Sequence, residues 1–161
     1  MSKCLLPLMA ALALTLSLSA CGAGEQSRTR TVYTMDTVMN LTAYGKNADA
    51  ALDAAEERLL ALDRQLDRHN EGSTVSALNR DGTVNDAALA ALVETALTIG
   101  KAADGAFDPT VAPLMDAWNF TGDAPRVPPD EELSELLTHV GLENVSVEGG
   151  IVTLKNSAQI D

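Results

Sequence analysis

Aromatic side chains are scarce in this sequence: one Trp, two Tyr and two Phe occur among 161 residues. The core must therefore be built mainly from Ala, Leu and Val. Cysteine is nearly absent as well. Cys4 and Cys21 both fall within the first 21 residues, so the body of the chain can hold neither a disulfide framework nor a thiolate metal centre. Histidine is limited to His69 and His139, and no HExxH, CxxC, GxSxG or glycine-rich phosphate loop occurs. His139 falls late in a helical stretch, where a cation is mildly favoured and no ligand role is required. Positive charge is in short supply too. Eleven Lys and Arg against 23 Asp and Glu leave a formal net charge of -12, which argues against a nucleic-acid partner.

What is present begins at the N-terminus. Met1-Ser2-Lys3 gives a short positive start, and residues 5–18 form an apolar run interrupted only by small or hydroxyl residues, the pattern of a secretory signal. The run is too short for a transmembrane helix. Leu18-Ser19-Ala20-Cys21 follows and resembles a bacterial lipoprotein box, which implies lipidation of Cys21 as the mature N-terminus. Residues 1–20 are thus expected to be a signal peptide, and 21–30 a flexible tether. The acidic surface would repel anionic lipid, leaving acyl chains as the expected hold on the membrane. The expected address is the cell envelope, outside the cytoplasm.

Along the rest of the chain, residues 31–45 read as extended, with Met39, Leu41 and Ala43 alternating with Asn40, Thr42 and Tyr44. From Asn47, Leu52, Ala55, Leu59, Leu62 and Leu66 recur at helical spacing. A turn at residues 69–72 precedes a short helix capped by Ser73, and Asp81-Gly82 marks another turn. A second long helix is expected over 86–103, with Leu89, Leu92, Val93, Ala96 and Ile99 on its inner face and Gly105 ending it. Prolines 125, 128 and 129 punctuate a loop. The acids at 130–132 then open a helix carrying Leu133, Leu136, Leu137 and Val140, closed by Gly141. Residues 144–148 and 151–155 flank Gly149-Gly150 as a hairpin. Residues 157–161 read as the first part of a further strand, so the sequence reads as truncated.

The stretch 105–120, GAFDPTVAPLMDAWNF, holds Phe107, Trp118 and Phe120. Asp108-Pro109 suits a helix N-cap followed by proline in the first turn, with the aromatics as packing. The same cluster beside a helix start also suits an anionic, aromatic ligand. Spacing does not separate the two.

Four separated segments resemble the FAD:protein FMN transferases, the ApbE-type flavin transferases. Thr34-Met35-Asp36-Thr37 is similar to the family's Met-Gly-Thr segment, with Asp36 in the glycine position. Residues 69–79, HNEGSTVSALN, resemble its aromatic-containing loop and Ser-x-x-Ser-x-x-Asn helix start, with His69 in the aromatic position. Residues 105–118 resemble its Gly-Ala-Phe-Asp-Pro-Thr-Val signature. Gln159-Ile160-Asp161 is similar to the entry of its Asp-Leu-Gly-Gly-type motif.

The resemblance implies an α+β fold, a mixed sheet with flanking helices of the ApbE type, of which residues 31–161 would be the N-terminal part. It implies FAD as donor substrate, Mg²⁺, and transfer of FMN to a Ser or Thr hydroxyl of an acceptor flavoprotein with release of AMP. The implied acceptors are FMN-carrying subunits of membrane redox complexes. Carried over by motif, Met35, His69, Ala106, Phe107, Asp108 and Asp161 would contact FAD. Asp108 would repel a bare pyrophosphate, so its expected partners are ribose, adenine or backbone. The family's Mg²⁺ ligands are expected downstream of Asp161, and the 161-residue chain alone is expected to be inactive. Two alternatives stand beside this: an envelope lipoprotein that binds flavin or hydrolyses FAD without an acceptor, and a helical lipoprotein in which the aromatics only pack.

Overall fold

The computed structural model describes residues 26–161, so the signal peptide, Cys21 and most of the expected tether lie outside the described residues. The chain divides into two compact units, Met1–Leu60 and Ala61–Asp161.

In the first unit, strands β1 (Ser27–Thr34) and β2 (Thr37–Tyr44) form an antiparallel hairpin. This corrects two expectations. Residues 27–30 belong to the ladder and not to a tether, because their polar side chains find partners on an exposed ribbon. The Thr29 and Thr42 hydroxyls meet at 3.2 Å, and Arg30 reaches both Asp53 and Glu56 at 2.7 Å. Residues 31–45 are likewise two strands, turned at Met35-Asp36. Both turn residues have positive φ, 52° and 51°, the pattern of a type I′ hairpin connection. The expected alternation does appear in β2, where Met39, Leu41 and Ala43 are half-buried and their neighbours exposed. Helix α1 (Ala48–Leu66) starts in this unit, where it buries Ala48 and Leu52, and its last turns belong to the second unit.

In the second unit, α2 (Thr74–Asp81) starts at Ser73, whose hydroxyl accepts from the Ser76 N–H at 2.9 Å. Strand β3 (Thr83–Asn85), α3 (Ala87–Ala102), α4 (Ala112–Trp118) and α5 (Asp130–Leu136) come next, then β4 (Val145–Glu148) and β5 (Ile151–Leu154). The sheet order is β3-β5-β4, antiparallel throughout. The fold is α+β, with small sheets and flanking helices, and the parallel component is a single bridge between Val111 and Gln159. Strand β3 is three residues long, too short to show a period in the sequence.

The core of this unit joins Val75 and Leu78 of α2, Leu89, Ala90 and Val93 of α3, Val145, Val152 and Ile160. Helix α3 differs from the expected face: Leu92 and Ile99 are each half exposed, while Ala90 and Gly100 are buried. The buried positions 89, 93 and 100 fix the inward direction. Leu92 and Ile99, one residue short of that row, turn outward. Helix α3 is capped by Asp86, whose carboxylate accepts from the Ala88 and Leu89 N–H groups. At its far end Asp104 (φ 49°) precedes Gly105 (φ 78°), and the Gly105 N–H returns to the Gly100 carbonyl, a left-handed helix stop. Helix α5 is shorter than expected and tightens into a 3₁₀ turn at Leu137–His139. His139 keeps a structural role there, its Nδ1 lying 2.6 Å from the Asn156 carbonyl oxygen. None of the described helices is long and apolar enough to cross a membrane.

Candidate functional site

Gly100 of α3 is where the 105–111 loop is set. A Cβ there would lie 2.8 Å from the Phe107 carbonyl oxygen and 2.9 Å from Leu142, so only glycine lets the loop backbone cross the helix this closely. At the crossing, Ala106 is exposed and Phe107 is 44% exposed.

Asp108 does not cap α4, contrary to the sequence expectation. Its Oδ1 accepts from the Thr110 N–H at 2.8 Å and the Thr110 hydroxyl at 2.6 Å, and the Thr110 hydroxyl accepts from the Gly141 N–H. Asp108 thus closes an Asx turn, and the helix begins four residues later, behind Val111, with Pro113 in its first turn. Thr110 is fully buried, and Asp108 at the other end of this hydrogen-bond chain is half-buried.

The segment ending in Asp161 is fixed from two sides. Asn79 of α2 donates to the Ile160 carbonyl and accepts from the Ile160 N–H, both at 2.8 Å. The Asp161 N–H donates to the Pro109 carbonyl at 2.9 Å. Ile160 itself is a core residue. The backbone of the 159–161 motif is therefore locked to the Asn of the 69–79 motif and to the Asp-Pro-Thr of the 105–111 motif, three of the four segments singled out in the sequence.

Arg68 adds an electrostatic tie. Its Nη2 donates to Asp116 Oδ1 at 2.7 Å, and its Nε lies 3.2 Å from Asp161 Oδ1 as an ion pair without hydrogen-bond alignment. The guanidinium side chain is only 12% exposed, whereas the Asp116 and Asp161 side chains are more open. Burial works against its charge, but the two carboxylates, Asp116 first, outweigh it and hold its pKa above the usual arginine value. His69 is exposed, its N–H donating to Asp67 Oδ1.

Trp118 and Phe120 are stacked on each other, centroids 5.4 Å apart and planes 8° from parallel. Phe120 is 59% exposed and neither ring joins the core cluster. Asn119 between them is left-handed, φ 53°. Met35 belongs to the first unit, at the tip of the hairpin. Among the candidates the structure thus gathers Asp108 and Asp161, with Ala106 and Phe107 on the adjoining loop and His69 next to Arg68. Sequence reasoning did not single out Arg68, Asp116 or Gly100, because nothing local marks them. Asn79 and Thr110 lay inside quoted motifs, where their side-chain chemistry was the available signal.

Comparison with known proteins gives a consistent picture. Residues 35–161 match the model of the ApbE family. The FAD:protein FMN transferase of Treponema pallidum is 29% identical over 142 residues, 82% of this chain and 39% of that protein. The enzyme of the same name from Haemophilus influenzae is 25% identical, over 86% of this chain and 43% of its own length. Among solved structures, the ApbE protein of Thermotoga maritima superposes with a TM-score of 0.78 at 29% identity, over 84% of this chain and 47% of that one. The flavinyl transferase ApbE of Pseudomonas stutzeri gives 0.71 at 25% identity, over 85% and 49%. The chain spans less than half the length of these relatives.

Proposed function

The chain belongs to the ApbE family, and from that premise we propose that it forms part of the FAD site of an FAD:protein FMN transferase. The observation that carries the reading is the backbone lock among residues 79, 109 and 160–161, which builds three of the four family-like motifs into one cluster with Phe107 exposed two residues from Pro109. Such a cluster can present an apolar ring face and fixed backbone groups to a large planar ligand. Within the second unit, His69, Ala106, Phe107, Asp108 and Asp161 are the proposed FAD contacts.

In the proposed reaction, a Ser or Thr hydroxyl oxygen of an acceptor flavoprotein attacks the phosphorus of the FMN half. The bond from that phosphorus to the bridging pyrophosphate oxygen breaks, a phosphoester to the acceptor forms, AMP leaves with the bridging oxygen, and the hydroxyl proton is released. Mg²⁺ belongs to this proposal. Among the described residues, however, no group of three or more His, Cys, Asp or Glu gathers to hold a metal, and Asp116 and Asp161 already face Arg68. These residues alone do not fit the ion, and no step is assigned to it here. The contribution of this part of the protein is to bind and orient the donor. The lipoprotein pattern of residues 1–21 supports a protein anchored through Cys21 at the outer side of a membrane, facing acceptors in membrane redox complexes.

The test is to incubate the full-length protein with FAD, Mg²⁺ and a Thr-bearing acceptor flavoprotein. Covalent flavin on the acceptor with matching AMP release is expected. AMP release without flavinylation would support FAD hydrolysis instead, and neither product would overturn the reading.

A further inference from the structure

We propose that Arg68 is a charge-compensating positioning residue for the FAD site, holding the Asp161 carboxylate so that its negative charge does not oppose the pyrophosphate; this rests on the FAD reading above. On that reading Asp161 is one of the contacts of an anionic donor, and an uncompensated carboxylate there would repel it. The nearest cation is given by the structure: the Arg68 guanidinium, 3.2 Å from Asp161 Oδ1 and largely buried.

The arrangement separates charge from framework. The backbone at 160–161 is fixed by Asn79, by Pro109 and by burial of Ile160, none of which involves Arg68. What Arg68 controls is therefore the side chain and charge of Asp161. Asp116 holds the other side of the same guanidinium through Nη2, which fixes its plane and keeps Nε toward Asp161. The guanidinium is shielded from solvent on its own side of the pair, while the Asp161 carboxylate stays open to it. Arginine suits the position because one planar group reaches two carboxylates through separate nitrogens, which a lysine ammonium does less well.

The experiment measures FAD affinity by quenching of flavin fluorescence in the full-length protein, for wild type, Arg68→Met, Asp161→Asn and the double variant. Arg68→Met is expected to weaken FAD binding about tenfold, with the loss growing at low salt. The double variant is expected to bind more tightly than Arg68→Met alone, because removing the carboxylate charge removes the repulsion that Arg68 offsets. Such coupling would not arise from a purely structural role. If Arg68→Met does not fold, as melting would show, Arg68→Lys replaces it. A smaller loss, again relieved by Asp161→Asn, is then expected. An unchanged affinity in the Arg68 variant, or losses that simply multiply in the double variant, would overturn the inference alone. Failure of the wild-type protein to bind FAD would overturn the functional reading and this inference with it.

Discussion

Two residues decide the local geometry around the site. Asn79 satisfies both backbone groups of buried Ile160, and Asn79→Ala leaves a donor and an acceptor without partners. The expected cost is about 1–3 kcal/mol, measured by urea unfolding, accompanied by weaker FAD binding as the Asp161 segment loosens. A variant with unchanged stability would mean that the lock is not holding that segment. Gly100 presents the opposite case. Alanine normally improves a helix interior by about 0.8–1 kcal/mol over glycine, yet here the new methyl meets the Phe107 carbonyl and Leu142. Gly100→Ala is therefore expected to destabilise by about 1–3 kcal/mol through overpacking. A stabilised variant would show that the loop moves aside freely.

At the scale of elements, the β1–β2 hairpin and the loop before α5 each rest on one local device. The turn residue Asp36 adopts φ 51°, a conformation that glycine takes without the Cβ penalty. Asp36→Gly is expected to raise stability by up to about 1 kcal/mol, less whatever glycine adds to unfolded-chain entropy. A lowered denaturation midpoint would argue that the Asp36 side chain contributes more than the turn costs. The loop between α4 and α5 is tied by Arg126, whose guanidinium grips the Glu132 carboxylate with two nitrogens and whose N–H returns to the Trp118 carbonyl. That grip holds the Glu132 carboxyl below its ordinary value of 4.5. The folded form therefore binds fewer protons there than the unfolded chain. The contribution of the pair is complete above pH 4.5 and fades as the pH falls below it through the depressed folded value. Glu132→Gln should lower stability somewhat at neutral pH, where the pair is complete, flatten the pH dependence in that acid window, and match the wild type once the pH is low enough to protonate Glu132. An identical acid limb in both proteins would exclude the pair as its source.

For the whole molecule, the lipoprotein reading proposed above makes membrane attachment depend on Cys21. Replacing Cys21 with Ser should move the protein from the membrane to the soluble fraction after cell fractionation, since a net charge of -12 gives no attraction to anionic lipid. Retention of the variant on membranes would point to another anchor.

Much of the fold was legible in the sequence wherever the chain signals locally. The stripe from Leu52 to Leu66 became helix α1, Ser73 capped the helix it precedes, and Gly149-Gly150 turned the β4–β5 hairpin. Caps, periodicity and left-handed glycines act within a few residues, so a linear reading can find them. The motifs also named the family. Tertiary structure decided the rest, because it depends on residues brought together from distant parts of the chain. It placed Asp108 in a turn with Thr110 and not at a helix cap, turned Leu92 and Ile99 outward, and showed that Gly100 is small because Phe107 crosses it. It also joined Arg68 to Asp116 and Asp161, 48 residues away in the first case. No pattern along the sequence encodes such a pairing; it exists only once the core has fixed where each backbone segment runs.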